Sequence, residues 1–222
     1  MEFLGILKDA WPFLALLVGV KLAVSLIHAL FRVAKGAIGE RMVTRALEKN
    51  LDYRAVVLND VTLRTGDNGT TQIDHIVVAP HGIYVIETKR YRGKIFGKPR
   101  EAEWVQKIGT RKYRFLNPFF QNFRHTQTIN EIMPSIDKSC INSIVIMTGC
   151  RWGQGKPPER LFHSGEQAAC YINEKAKWSK AKINVAEVVE AINAHREKPG
   201  LATWLKHVWH VRRKKTETSH AS

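Results

Sequence analysis

Two acids and a lysine, carried by the passage from Ile73 to Lys89, have the types and spacing to act on a phosphodiester. Two apolar runs flank Pro80-His81-Gly82, and acids appear only at the end away from that turn: Asp74 in the first run, Glu87 in the second. If Ala79 to Gly82 form a four-residue turn, Asp74 lies directly opposite Glu87, with Cβ atoms about 4.5–5.5 Å apart. Lys89, two residues on from Glu87, shares its face. A three-residue loop with a glycine bulge instead pairs Asp74 with Thr88, and a second irregularity must then restore the acids to one another. Adjacent carboxylates repel unless a cation sits between them, and hard oxygen ligands suit Mg²⁺ or Mn²⁺. A neighbouring ammonium can orient a metal-bound water or offset charge on a phosphate. The same residues also fit an ordinary Glu87–Lys89 surface ion pair with Asp74 capping a turn.

The elements that must position these groups follow from periodicity and punctuation. Residues 38–49 place Ile38, Met42, Val43, Ala46 and Leu47 on one helical stripe, and Asn50 ends it. Residues 55–64 alternate as a strand, and Gly66 to Gly69 reads as a hairpin turn. Strands follow at about 72–79 and 83–89, then short strands over 94–115 broken at Gly97-Lys98-Pro99 and Gly109. Asn117-Pro118 starts a helix, with Asn as N-cap and Pro at the first position. That helix carries Phe119, Phe120, Phe123, Ile129, Ile132 and Met133. Residues 141–147 form a buried strand, and 184–196 a helix with Val185, Val188, Val189 and Ile192 on one stripe. This order predicts an α/β or α+β sandwich around a small sheet.

Gly39-Glu40 on the first helix, Ile73-Asp74, Glu87-Thr88-Lys89 and Asn117-Pro118-x-x-Gln121 together resemble the NERD (nuclease-related) domain over residues 36–150. That domain is related to the PD-(D/E)xK nuclease superfamily. The resemblance implies an α/β fold with a restriction-endonuclease-like mixed sheet flanked by helices, and metal-dependent hydrolysis of DNA. It implies Asp74 and Glu87 as ligands of Mg²⁺ or Mn²⁺, with the Thr88 carbonyl as a further ligand and Lys89 serving the attacking water. Glu40 would project toward the metal or its water shell. Gln121 would complete the pocket, with His125 one turn on and on the same face. Without the resemblance, Glu40 reads as a solvated helical charge, and Gln121 and His125 as a polar helix face. Ile73 stands where the superfamily's name has proline. The alternative is a catalytically inactive nucleic-acid-binding or interaction protein that keeps a nuclease fold as scaffold.

Composition narrows the setting. The 222 residues include 35 Lys and Arg against 20 Asp and Glu, a net +15 that favours a polyanionic partner, nucleic acid or an anionic lipid surface. Nine of those cations lie between Arg90 and Arg114, interleaved with Tyr91, Phe96, Trp104 and Tyr113, aromatics that read as core residues before base-stacking platforms. Three cysteines, Cys140, Cys150 and Cys170, match no metal-ligand spacing and argue against a disulfide scaffold. Residues 11–31 are apolar, with Lys21 their only formal charge, and as a helix span about 30 Å, the thickness of a bilayer core. Basic residues on the C-terminal side (Arg32, Lys35, Arg41, Arg45) place the rest of the chain in the cytoplasm by the positive-inside rule. The expectation is a single-pass protein of the cell's inner membrane: an anchor at 1–35, the nuclease-like domain at 36–150, helical completion at 151–203 and a basic tail at 204–222. A soluble helix packing into an oligomer is the competing reading of the apolar segment.

Overall fold

The structure, a computed structural model, describes residues 18–25, 36–66, 69–180 and 182–197. The chain divides into two compact units between Ile38 and Gly39. In the first, residues 18–25 are helical, and Val18, Val20, Leu22 and Val24 are exposed. The rest of the apolar span expected at 11–31 lies outside the described residues, as does the basic tail from 204 onward. Among the described residues no helix is long and apolar enough to cross a membrane.

The second unit is built on one mixed sheet. Helix α1 (residues 36–50) enters it at Gly39 and leads into β1 (Val56–Arg64), β2 (Thr70–Ala79) and β3 (Gly82–Phe96). The hairpin β4 (Glu103–Ile108) and β5 (Arg111–Leu116) follows, then α2 (Pro118–Ile132) and β6 (Ile141–Trp152). A short β7 (Leu161–Phe162), α3 (Gly165–Trp178) and α4 (Val185–His195) complete the described fold. The central strand is β3, longer than the 83–89 read from the sequence because its second half is polar on one side and shows no clear apolar run. β6 runs parallel to it, reached through α2, which is the crossover that parallel pairing requires. The neighbours β2 and β4 are antiparallel to it. The outcome is an α/β fold, a mixed sheet flanked by helices on both faces.

Burial follows from that layering. The middle strands are covered twice, so β2 and β3 read as nearly unbroken apolar runs. On one face Ile76, Val78, Ile83 and Val85 pack under Ile129 of α2, Met133 at its C-terminal cap, and Val188 and Ile192 of α4. On the other, Val77, Tyr84, Ile86 and Ile146 pack under Val43 and Leu47 of α1 and Ala168 and Ile172 of α3. A third cluster surrounds Trp104, fully buried against Ile95 and Met147 and edge-on to Phe119 and Trp152. The aromatics of the basic stretch thus divide: Trp104 is core, Tyr91, Phe96 and Phe115 are half-buried, and Tyr113 is exposed.

Helix α2 is fixed to the sheet by two asparagines. Asn117 caps it, its Oδ1 accepting from Phe119 N at 3.0 Å while its amide donates to the Pro99 and Glu101 carbonyls. Asn122, fully buried, donates to the Val85 carbonyl (2.8 Å), the Ile144 carbonyl (2.9 Å) and Ser143 Oγ (2.8 Å), joining β3 to β6 from above. Replacing Asn122 with alanine removes the donor from buried acceptors, and the fold should lose about 1–3 kcal/mol. Urea unfolding monitored by far-UV circular dichroism measures this; an unchanged midpoint would show that the clamp carries no stability.

Candidate active site at the break in the sheet

The β2–β3 hairpin settles which of the two registers the chain adopts. Pairing runs from Ala79↔Gly82 to His75↔Ile86, a turn with only Pro80 and His81 between the strands. The next position outward sets Asp74 against Glu87, but the ladder of paired residues stops one pair short. Among the described residues no strand pairs with this side of β3 again until β4 arrives at Lys94. The backbone between Glu87 and Gly93 therefore has β6 on one side and a break on the other. Asp74 fills part of it: its Oδ2 accepts the Thr88 N–H at 2.7 Å, in place of a neighbouring strand's carbonyl.

The expected residues come to this break from four elements, β2, β3, α1 and α2. Glu87 is buried, its Oε1 2.5 Å from Lys89 Nζ and its Oε2 3.2 Å from His125 Nε2. Glu40 comes from α1, and its partner in the sequence motif explains how: a Cβ on Gly39 would sit 3.3 Å from Arg90 Cβ, so glycine lets the helix lie close against β3. Thr88 gives its N–H to Asp74, and its buried Oγ1 has no hydrogen-bond partner among the described residues. Gln121 lies half-buried on α2, and among the described residues no polar contact ties its side chain to the acids. His125, one turn on, does reach Glu87, and its Nδ1 lies 2.7 Å from Thr71 Oγ1.

Electrostatics separates the carboxylates. Burial and the nearby Glu87 raise the Asp74 carboxyl well above the ordinary aspartate value, against the pull of the Thr88 N–H. Burial works against the charge on Glu87 too, but the His125 hydrogen bond and Lys89 outweigh it and hold Glu87 below its usual value. Glu40 is raised by burial, then by Asp60 and Glu87. Burial opposes the Lys89 ammonium, yet Glu87 beside it raises its pKa. The surroundings thus oppose the charge on Asp74 and Glu40 and favour it on Glu87.

Several site-forming residues were not legible in the sequence. Asp60 interrupts β1 opposite Asp74 with a left-handed backbone (φ 50°), and Leu58 and Val61, three apart, consequently both face the α2 side. The signal was present: Asn59-Asp60 are two turn-prone residues inside an apolar strand, and aspartate tolerates the left-handed region. Arg196, just past α4, donates to the Asn59 and Asp60 carbonyls at 2.8 and 2.9 Å and holds that kink from a distance no local pattern reveals. His75 faces the other side, its Nδ1 2.8 Å from Asn59 Oδ1; burial lowers its pKa to about 4, so the ring is neutral at neutral pH.

Among the described residues no three His, Cys, Asp or Glu side chains converge closely enough to chelate a metal ion by themselves. Asp74, with its carboxyl raised, and Glu87, with its carboxyl lowered, have Glu40 nearby and are the side chains that could hold a hard cation keeping most of its own water. Mg²⁺ is held in this way, through one or two carboxylates plus substrate phosphates.

Comparison with known proteins gives the family. A family model described as the nuclease-related domain, NERD, matches residues 35–148. An uncharacterized protein of Bacillus anthracis is 37% identical over 143 residues, which cover 64% of this chain and 65% of that protein. The chain therefore matches just under two thirds of that relative's length. No solved structure matches. The matched segment takes up just over half of the chain and contains Glu40, Asp74, Glu87, Lys89 and Gln121, and on that ground the chain belongs to the nuclease-related domain family.

Proposed function

We propose that the chain is a membrane-anchored, Mg²⁺- or Mn²⁺-dependent nuclease that hydrolyses phosphodiester bonds of DNA. The observation that carries this reading is the meeting of Glu40, Asp74 and Glu87 from a helix and two strands, close enough to perturb one another, with Lys89 against Glu87. Asp74 and Glu87 would hold the metal, with the Thr88 carbonyl beside them. When bound, the ion would supply a polarised phosphoryl oxygen and a water acidified for attack. Lys89, still an ammonium at neutral pH, would donate to that water and offset charge building on the phosphate. His125, supported by Thr71, fixes the Glu87 carboxylate in one orientation. Glu40 would order water on the α1 side, and Gln121 would border the pocket from α2.

The anchor rests on residues 11–31, apolar over a bilayer's thickness, and on the exposed valines and leucine of helix 18–25. With basic residues following the segment, the nuclease domain would face the cytoplasm from the inner membrane. One observation favours the alternative of a non-cleaving nucleic-acid-binding protein: the Glu87–Lys89 ion pair already satisfies the carboxylate without a metal.

Three measurements test these statements. The full chain should nick or linearise plasmid DNA with Mg²⁺ and not with EDTA, and Asp74→Ala or Lys89→Ala should each cost at least about 10²-fold in rate. Cleavage that survives both substitutions removes the assignment. Asp74→Asn should raise the melting temperature in EDTA at neutral pH, because it removes a carboxylate whose ionisation burial disfavours. The folded-state pKa of Asp74 is raised, so wild-type stability falls as pH rises from the ordinary carboxylate range through that raised value. The gain from asparagine should therefore be small at acidic pH and grow as pH rises; a gain that shrinks contradicts the electrostatics. Finally, the full chain should remain in the membrane fraction after high-salt washing, and deleting residues 1–34 should release it; release of the full chain by salt would remove the anchor.

A further inference from the structure

Beyond the break, the sheet carries a line of cations. In its register Arg151 of β6 lies beside Lys94 of β3, Lys94 beside Lys107 of β4, and Lys107 beside Lys112 of β5. Residues in register share a face, so one cation from each of four adjacent strands stands in a single row. At about 4.8 Å per strand the row is about 15 Å long. All four side chains are exposed. Among the described residues none of them has an ion-pair partner, and the two acids at the start of the β4–β5 hairpin pair elsewhere, Glu101 with Lys98 and Glu103 with Arg114. The opposite face of the same strands is the buried cluster of Ile95, Trp104 and Phe115, so the row is held on a rigid support.

Like charges directly opposite one another destabilise a sheet. Nothing in the packing calls for such a row, and a polyanion laid along it turns the repulsion into attraction. The row is also narrow. Its neighbours on the same face are Val105 next to Lys107, Phe96 next to Lys94, Gly149 and Gly153 on either side of Arg151, and Arg114 next to Lys112, the last already paired with Glu103. A line one charge wide suits a linear chain of phosphates, whereas lipid headgroups spread in two dimensions and reward a broad patch. Lys94 follows Lys89 by five residues of β3, at most about 17 Å, roughly half of one 34–36 Å turn of duplex.

We infer that Arg151, Lys94, Lys107 and Lys112 form a track for the phosphate backbone of nucleic acid, outside the acid cluster. The choice of nucleic acid among polyanions rests on the nuclease reading; the track itself rests on the register. Ammonium and guanidinium groups meeting phosphates carry no base readout, so binding along the track is sequence-blind and salt-dependent.

The test uses the full chain in non-ionic detergent and EDTA, with a labelled duplex followed by fluorescence anisotropy across a salt series. Against wild type, the fourfold variant Lys94→Gln, Lys107→Gln, Lys112→Gln and Arg151→Gln should bind at least about tenfold more weakly at low salt. Its log affinity against log salt should be shallower by about 3 to 4, since each lost phosphate contact contributes about 0.9. Its melting temperature should be equal or higher. Should that variant fold poorly, Lys107→Gln with Lys112→Gln on the exposed hairpin should reduce the slope by about 2. An unchanged slope overturns the track. So does a variant that keeps the DNA slope and loses only its preference for phosphatidylglycerol over phosphatidylcholine vesicles. EDTA separates the two readings: if no cleavage is ever found but the slope falls as stated, the track stands and the nuclease does not. If Asp74→Ala abolishes cleavage while the fourfold variant binds like wild type, the nuclease stands and the track does not.

Discussion

The site depends on an interruption in backbone pairing along β3. A central strand normally gives its N–H and C=O groups to neighbours on both sides, because an unpaired buried backbone group costs about as much as a lost hydrogen bond. Here β2 leaves after Ile86 and β4 does not join until Lys94. The Thr88 N–H within that interval is taken by a side chain, Asp74. One hydrogen bond thereby does two things: it satisfies the strand, and it draws an aspartate into the place where the chemistry would occur. The bulges at Gly93 (φ 76°) and Gly149 (φ 75°), where β3 and β6 shift register together, let the strand twist away from β2 and meet the β4–β5 hairpin.

Holding three acids near one another in a half-buried place opposes stability, and the fold offsets this by local means. Glu87 has His125 and Lys89, one on each oxygen. Asp74 has a backbone N–H and a raised pKa. Glu40 is left with burial and two like charges. On the proposed reading a bound cation would relieve the like charges of Asp74, Glu87 and Glu40, and metal affinity would be coupled to site geometry. The same logic operates in the row of Lys94, Lys107, Lys112 and Arg151, with the sign of charge reversed. Two arrays of like charge, one acidic and one basic, each take a member from β3, Glu87 for the acids and Lys94 for the cations.

The sequence determined much of this directly. The apolar runs of β2 and β3 with acids at one end, the Asn117-Pro118 start of α2, and the valine stripe of α4 are local patterns, and each became the element expected. The Asp74, Glu87 and Lys89 set was legible because strand alternation and hairpin geometry act over a few residues. The sequence left two registers open, since Pro-His-Gly permits either turn. Packing decided between them: Ile76 and Val85 must both face α2, and Ile86 and Val77 must both face α1, which only the two-residue turn achieves. A slip by one residue would reverse every one of those side chains.

What only the tertiary structure decided are the contacts made across long separations. Asn122 joining two parallel strands, Arg196 pinning the kink at Asp60, His125 reaching Glu87 and the four-strand row of cations all link residues tens of positions apart. No periodicity reports such pairs, because their energy comes from desolvated hydrogen bonds and fields that exist only once the layers are assembled. Lys94, Lys107, Lys112 and Arg151 read in the chain as scattered surface charges; strand register alone makes them a line. The sequence by itself fixed which residues could do chemistry and on which kind of element each stands. The sheet's register and its break decided which of them meet, because lateral order in a sheet is set by the whole assembled core and not by any one segment.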